Sequence, residues 1–225
     1  MIFMIYAVTS LLAFAWLWLT PIPEVKEEEQ QVSFKMTLSL LKDPYILAFF
    51  LGIVVLVGVD VSINLTLPKI VMERCDLQLG DAGMSNSVYF FARTVGAFVG
   101  GILLMKVQEV KFYTVSIWTA LVGLLLLVFC QNIVLVYVSI IVFGLGYANL
   151  FSIIFSLSMK HMPSRANDVS VLLIVGLVGG GILPPVLGLC TDGFGSQVAA
   201  IIFLICIWGY MFWLTRRVKS LGATK

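Results

Sequence analysis

Long apolar runs dominate the chain, and each run has about the length that crosses a lipid bilayer. A spanning helix needs about 20 predominantly apolar residues. With 60% hydrophobic and 12% charged residues, the chain has too little polar surface for a water-soluble domain. The runs therefore predict an all-α polytopic membrane protein with about seven transmembrane helices. We place these helices at residues 1–20, 44–71, 81–105, 112–130, 133–160, 169–191 and 198–215.

Residues 21–43 form the one sizeable linker between the predicted spans. The linker begins with an acidic tract at 24–31 and continues into a stretch whose apolar residues have the spacing of a short amphipathic helix. Asp43 and Pro44 follow, and these residue types favour the N-cap and the first position of the next helix. We predict that this helix starts there.

Basic residues lie almost entirely on one side of the predicted membrane. Cytoplasmic loops carry an excess of Lys and Arg, so the linker and the 216–225 tail are predicted to be cytoplasmic and residue 1 to lie outside. Only Lys69 and Arg74 fall on the outer side. A bacterial inner-membrane location fits this pattern. A start outside without an export signal is expected of a chain that begins partway through a longer transporter.

Two ionisable side chains lie deep inside predicted spans. Asp60 and Arg93 are eleven and twelve residues from the outer ends of 44–71 and 81–105. At a rise of about 1.5 Å per residue, both lie near the middle of the membrane. Because buried ionisable groups are costly there, they mark functional sites. We predict an Asp60–Arg93 pair that lines a solute cavity, with Asp60 as the candidate for proton coupling. A static ion pair that fixes helix packing is the alternative.

Polar side chains share helix faces with these two residues. Asn64 lies one turn after Asp60, and Asn86 and Tyr89 lie on the same stripe as Arg93. Asn and Tyr supply the donors and acceptors that sugar hydroxyls need, and Tyr adds an apolar ring face. We predict that all five bind solute. Hydrogen bonding between helices uses the same residue types and is the alternative.

A second polar stripe lies in the span 133–160. Asn149, Ser152 and Ser156 recur there at helical spacing. We predict that Asn149 also binds solute and that the two serines pack between helices.

Small residues recur every four positions in the span 169–191, and they share one helix face. A face with so little side chain lets another helix press its backbone against it. Pro184 and Pro185 remove amide donors within this span and predict a bend. We expect this column to act in packing and gating, and we expect the GxxxG pair Gly96 and Gly100 to pack against a neighbouring helix. The column consists of Gly176, Gly180, Pro184 and Gly188.

Residues 143–192 carry a resemblance to a known family. The segment FGLGYANLFSIIFSLSMK at 143–160 is followed, after a short basic loop, by GGGILPPVLG at 179–188 and by Thr191 and Asp192. These segments and their spacing resemble the fucose/glucose/galactose permease branch of the major facilitator superfamily. At the level of the superfamily, the resemblance covers essentially the whole chain, as the sixth helix, the central loop and helices seven to twelve.

The resemblance implies a C-terminal six-helix bundle at 44–215, built as an inverted repeat of three helices in 44–130 and three in 133–215. It implies a monosaccharide as solute, proton symport, alternating access and a missing N-terminal half as partner. One departure lies at 100–111, where GGILLMKVQEVK lacks the Asp that the superfamily often has in this loop.

Other classes of function find little support in the sequence. We find no nucleophile–base pattern, no zinc spacing and no phosphate-binding loop, and so expect no cofactor, metal, enzymatic reaction or nucleic-acid partner. We expect His161 to be a solvated loop residue. A seven-helix photoreceptor would need a Lys in 198–215, and none is there. An inert or self-associating half of a transporter stays open as an alternative.

Overall fold

A computed structural model of the protein describes the backbone of residues 2–21 and 34–223, and the side chains of residues 4–21 and 37–219. Every regular element in this part of the chain is a helix. The predicted acidic tract at 24–31 lies outside the described residues. The helices are α1 (Ile2–Leu19), α2 (Phe34–Ser39), α3 (Pro44–Cys75), α4 (Leu79–Ala82), α5 (Met84–Leu104), α6 (Glu109–Phe129), α7 (Ile133–Tyr147), α8 (Leu150–His161), α9 (Ala166–Val175), α10 (Gly179–Phe194) and α11 (Gln197–Ala223).

Six helical stretches among the described residues are long and apolar enough to cross a membrane. The protein is therefore an integral membrane protein. The sequence predicted a seventh span at 1–20, where the described helix is α1, with 18 residues, compared with 21 or more in each of the other six. Several spans are longer than predicted, because the helix continues through polar residues beyond the apolar layer. The six spans are Pro44–Cys75, Leu79–Leu104, Glu109–Phe129, Ile133–His161, Pro163–Phe194 and Gln197–Lys219.

The described residues fall into two compact units. α1 belongs to the first unit, and its described side chains are exposed. The helices α2 to α11 belong to the second unit, which holds all six spans and the core.

α3 is the central helix of the second unit and packs against α5, α7, α8, α10 and α11. Phe49 and Leu56 of α3 are fully buried, as are Phe143, Tyr147 and Trp208 of α7 and α11. Because lipid is as apolar as these side chains, close packing rather than removal from water holds them together.

α3 begins where the sequence predicted. The Asp43 carboxylate accepts hydrogen bonds from the backbone N–H groups of Tyr45 and Ile46, at 2.8 and 2.9 Å. Pro44 occupies the first turn, where its missing N–H leaves no helical bond unmade. The predicted N-cap is confirmed.

The last turn of α3 holds the ends of two other helices. The Arg74 guanidinium donates to three backbone oxygens between Leu127 and Cys130, at the C-terminus of α6. The Glu73 carboxylate accepts a hydrogen bond of 2.7 Å from the backbone N–H of Gln197, the first residue of α11. Each charge opposes the dipole of the helix end that it meets, so α3 fixes both helices at one end of the bundle.

Two spans are interrupted rather than continuous. The span Ile133–His161 breaks between α7 and α8 at Asn149, whose backbone leaves the ideal helix with φ −108° and ψ −2°. The span Pro163–Phe194 contains a 3₁₀ turn at Gly176–Val178, between α9 and α10. α10 itself runs through Pro184 and Pro185.

Candidate functional site

Arg93 on α5 and Asp60 on α3 form an ion pair between neighbouring helices, as the sequence predicts. Nη1 of Arg93 lies 2.7 Å from Oδ2 and 2.9 Å from Oδ1 of Asp60, so one nitrogen donates to both carboxylate oxygens. The two side chains are 31% and 19% exposed. The pair therefore lies at an accessible face of the bundle and not inside its closed core.

Tyr89 lies one turn before Arg93 on α5 and donates a third hydrogen bond to the same carboxylate. Its hydroxyl is 2.6 Å from Oδ1 of Asp60. The Tyr89 ring is fully buried and stacks on Phe143 of α7, with ring centroids 5.7 Å apart. Tyr89 therefore fixes the Asp60 carboxylate from the buried side of the ion pair.

Tyr147 at the end of α7 completes the cluster, although the sequence did not single it out. The Arg93 guanidinium carbon lies 5.0 Å from the centre of the Tyr147 ring, a cation–π geometry. The Tyr147 hydroxyl donates to the backbone oxygen of Leu56 at 3.0 Å. Asp60, Tyr89, Arg93 and Tyr147 form what we call the α3–α5–α7 cluster.

Arg93 uses only part of its hydrogen-bonding capacity within the described residues. A guanidinium carries five N–H donors on three nitrogens, and the hydrogen bonds of Arg93 to described residues run through Nη1 alone. Nε and Nη2 therefore keep donors for an acceptor that reaches this face.

Asn64 and Asn86 bring unused acceptors. Asn64 donates through Nδ2 to the backbone oxygen of Asp60, at 2.7 Å. The Oδ1 atoms of Asn64 and Asn86 are buried and accept no hydrogen bond from the described residues. Because such groups are normally satisfied, each of these two oxygens needs a partner that the described residues do not supply, such as a water or a solute hydroxyl.

Asn149 is engaged between helices. Its side-chain amide donates to the backbone oxygen of Gly96 on α5 at 2.8 Å, and the residue is 7% exposed. A Cβ atom at Gly100 would lie 2.0 Å from Nδ2 of Asn149. The GxxxG pair therefore forms the surface against which Asn149 packs, and solute contact by Asn149 stays a prediction.

Ser152 and Ser156 differ from their prediction. Both line a groove of about 730 Å³ between α8 and α9, together with Phe151, Phe155 and Met159. They therefore face open space and not a packed helix interface.

The small-residue column of α10 packs only in its first half. A Cβ atom at Gly176 would lie 3.0 Å from a side-chain carbon of Ile53, and one at Gly180 would lie 2.9 Å from a side-chain carbon of Val61. A Cβ atom at Gly188 would meet nothing within 4 Å among the described residues.

The tightest approach between α10 and α3 lies outside the predicted column, at Gly179. A Cβ atom there would lie 2.0 Å from the backbone oxygen of Val54. Gly179 and Gly180 lie three and four residues after Gly176, positions that share one helix face, so the close contact widens the first half of the column.

His161 is not the freely solvated loop residue that the sequence suggested. It is the last residue of α8, and its Nε2 atom lies 3.3 Å from Oδ1 of Asp43. Its ring also lies beside that of Tyr45, with centroids 5.1 Å apart. This contact ties the end of α8 to the start of α3.

Comparison with known proteins identifies the family. The family model described as Major Facilitator Superfamily matches residues 1–167 and, in an overlapping second match, residues 55–225. The chain belongs to the major facilitator superfamily. This confirms the superfamily that the sequence resembles.

Relatives and solved structures of this superfamily narrow the resemblance to its sugar permease branch. The "Glucose/galactose transporter" of Brucella abortus biovar 1 is 26% identical over 186 residues, which cover 82% of this chain and 45% of the relative. The crystal structure of the Escherichia coli fucose:proton symporter FucP superposes with a TM-score of 0.80 at 21% identity, covering 95% of this chain and 53% of FucP. The chain thus spans about half the length of the relatives it matches.

One further relative is named for a different solute. The "Probable nitrate transporter NarT" of Staphylococcus epidermidis is 24% identical over 150 residues, which cover 65% of this chain and 38% of the relative.

Proposed function

We propose that this chain is the C-terminal portion of a secondary active transporter that moves a monosaccharide by alternating access. The observation that carries the proposal is the α3–α5–α7 cluster. It places the Asp60 carboxylate, fixed by hydrogen bonds, and Arg93, with unused donors, at an accessible face within two spans. Buried ionisable groups in a membrane mark solute and ion pathways. The glucose/galactose and fucose names of the similar proteins support a sugar as solute.

The chemistry of the cluster suits a polyhydroxylated solute. Nε and Nη2 of Arg93 donate to sugar oxygens, and the Oδ1 atoms of Asn64 and Asn86 accept from sugar hydroxyls. Asp60 and Tyr89 orient Arg93. Asn149 contacts solute in this proposal only when α5 and α8 separate, since its amide is engaged in the structure described.

The same ion pair supports proton symport as part of the proposal. In this proposal solute binds while the pair is intact. A proton that then reaches Asp60 removes the charge that binds Arg93, and the guanidinium is free to move. The proton partner is supported by the name of FucP, a fucose:proton symporter.

The proposed working unit includes an N-terminal half, which covers the face of the bundle where Asp60 and Arg93 are accessible. The chain matches about half of each relative. We place the assembly in a bacterial inner membrane with the C-terminus of this chain in the cytoplasm, because Lys and Arg are concentrated on that side. The glycine contacts of α10 with α3 keep the rocking body rigid.

Uptake in proteoliposomes tests this function. The chain, produced together with the coding region that precedes it, should accumulate labelled glucose, galactose or fucose when a proton gradient is imposed, and not after the gradient is collapsed. The chain produced alone should give no accumulation, because one half leaves the cluster open to lipid. Absence of uptake for all three sugars in the first preparation would refute the proposal.

Nitrate transport is the second candidate, because of the similarity to NarT. An anion requires an uncompensated positive charge in the site, whereas the charge of Arg93 is balanced by Asp60 at 2.7 Å. Nitrate in place of sugar in the same uptake assay distinguishes the two.

A further inference from the structure

The charge of the α3–α5–α7 cluster is balanced inside the protein. Asp60 is the acidic side chain and Arg93 the basic side chain in the interior of the spans Pro44–Cys75 and Leu79–Leu104. The other charged residues of these two stretches lie near their ends: Lys69, Glu73, Arg74 and Asp81. The charges of the cluster itself therefore sum to about zero.

The carboxylate is held so that it stays on the arginine. Both of its oxygens accept from Nη1 of Arg93, and Oδ1 also accepts from the Tyr89 hydroxyl at 2.6 Å and lies 3.5 Å from Nδ2 of Asn64. These donors come from two different helices, Arg93 and Tyr89 from α5 and Asn64 from α3. Moving Asp60 off Arg93 breaks several bonds at once.

Asp60 balances the charge of Arg93 but does not engage all of its N–H donors. Its Nε and Nη2 atoms donate to none of the described residues, and the Tyr147 ring lies 5.0 Å from its central carbon. An uncharged hydroxyl oxygen can accept from the free donors without disturbing the ion pair. An anionic group at the same place would lie close to the Asp60 carboxylate, and like charges in one site repel each other.

We propose that Asp60 is a specificity-determining residue: its carboxylate serves as a built-in counter-anion that lets the site bind neutral polyhydroxylated solutes and excludes their anionic counterparts. This inference rests on the proposed function for the identity of the neutral solute. Specificity then comes from a repulsive element as well as an attractive one.

Removal of the carboxylate should turn the site into an anion site. In Asp60→Ala, the Arg93 charge loses its partner, and a small carboxylate of the right size can replace the lost side chain. We expect formate to raise the melting temperature of purified Asp60→Ala in detergent with a saturating concentration dependence, because a ligand that binds only the folded state stabilises it. Formamide, the uncharged analogue, should not.

Matched controls isolate the arginine. The wild-type chain and the double variant Asp60→Ala/Arg93→Gln should show no saturable response to formate, because the first has its own counter-anion and the second has no cation. An equal response in the double variant, or no response in Asp60→Ala, overturns the inference. If Asp60→Ala does not fold, Asp60→Asn, which keeps the side-chain shape, is measured with nitrate as the probe in its place, with the same controls and the same criteria.

A solute pair tests specificity directly and separates this inference from the proposed function. Galactose and galacturonate differ only at C6, where the second carries a carboxylate. We use the transport-competent preparation, which is the chain produced together with the coding region that precedes it. There Asp60→Asn should shift the binding preference from galactose towards galacturonate by at least about tenfold, a change that corresponds to 1.4 kcal/mol. Wild-type galactose binding with an unchanged preference in Asp60→Asn overturns the inference and leaves the sugar proposal standing. No galactose binding by the wild type, with formate rescue intact, rejects the sugar and retains the counter-anion.

Discussion

The backbone oxygen of Val54 on α3 lies 2.0 Å from the position that a Cβ atom would take at Gly179 on α10. Real Cβ atoms essentially never come within 3.0 Å of another heavy atom, so only glycine allows α10 this close to α3. Asp60 lies on the same helix, six residues after Val54. The contact therefore fixes α10 against the helix that carries the site.

Gly179→Ala should destabilise the protein, while Gly188→Ala on the same helix should not. Overpacking a filled contact costs about 1–3 kcal/mol, and the obstacle at Gly179 is backbone, which cannot rotate away. Gly188 has open space, and Ala is the better helix former there. Melting temperatures of both variants in detergent check the prediction, and equal values for the two would contradict it.

Tyr147→Phe and Tyr147→Leu should differ in their effect on solute binding. Phe keeps the aromatic face under Arg93 and loses only the hydrogen bond to Leu56, worth about 1 kcal/mol of stability. Leu also loses the cation–π contact, so Arg93 is less well placed and solute affinity should fall further. Calorimetric titration of the two variants with the transported sugar measures the difference; the same affinity in both would remove the ring from the site.

Arg74→Ala should loosen the end of α6. The guanidinium donates to the backbone oxygens of Leu127 at 2.7 Å and Val128 at 2.6 Å, as well as to that of Cys130. Hydrogen bonds that involve a charged group contribute about 1.5–3 kcal/mol each and are not additive, so we expect a loss of about 2–3 kcal/mol. Arg74→Lys should recover only part, because an ammonium cannot reproduce the planar fork. Lys106→Ala, in an exposed position, is the control, and hydrogen exchange at the end of α6 is the readout.

Asp43→Asn should remove a pH-dependent part of the stability. Burial acts to raise the pKa of Asp43, but hydrogen bonds from the backbone of Ile46, from His161 and from the backbone of Tyr45 outweigh it, so the pKa lies below its usual value. Since the pKa is lower in the folded chain, the carboxylate stabilises the fold above the unfolded pKa of about 3.9, and this contribution is lost as the pH falls through the folded pKa.

Melting curves across pH check this prediction. Asn keeps a capping oxygen but does not titrate there, so the melting temperature of the wild type should exceed that of Asp43→Asn at neutral pH and approach it in acid. A difference that stays constant down to pH about 3 would contradict the account.

The sequence was sufficient for six of the seven predicted spans, the start of α3 and the pairing of Asp60 with Arg93. Apolar run length determines where a chain can cross a bilayer, and the rise per residue determines the depth of each side chain. Opposite charges at similar depth on adjacent helices are expected to form an ion pair. These inferences use only distance along a helix, which the sequence contains.

Tyr147, Gly179 and Asn149 needed the structure, because their roles depend on which faces of two helices meet. Gly179 lies three residues after Gly176 on the same helix face, so a column drawn at four-residue spacing passes over it. The bond from Asn149 to Gly96 depends on how α8 meets α5. Tyr147 joins the cluster through a crossing of α7 with α3 and α5 that sequence spacing does not encode.

The central claim is that Arg93 binds the transported sugar with the donors that Asp60 leaves free. Equilibrium binding of labelled galactose, glucose and fucose to the transport-competent preparation tests it most directly, with Arg93→Gln compared with Thr94→Ala, the next residue on the same helix. The account predicts that Arg93→Gln weakens binding of the transported sugar at least about tenfold, or by 1.4 kcal/mol, while Thr94→Ala binds as the wild type does. Wild-type affinity in Arg93→Gln would contradict it.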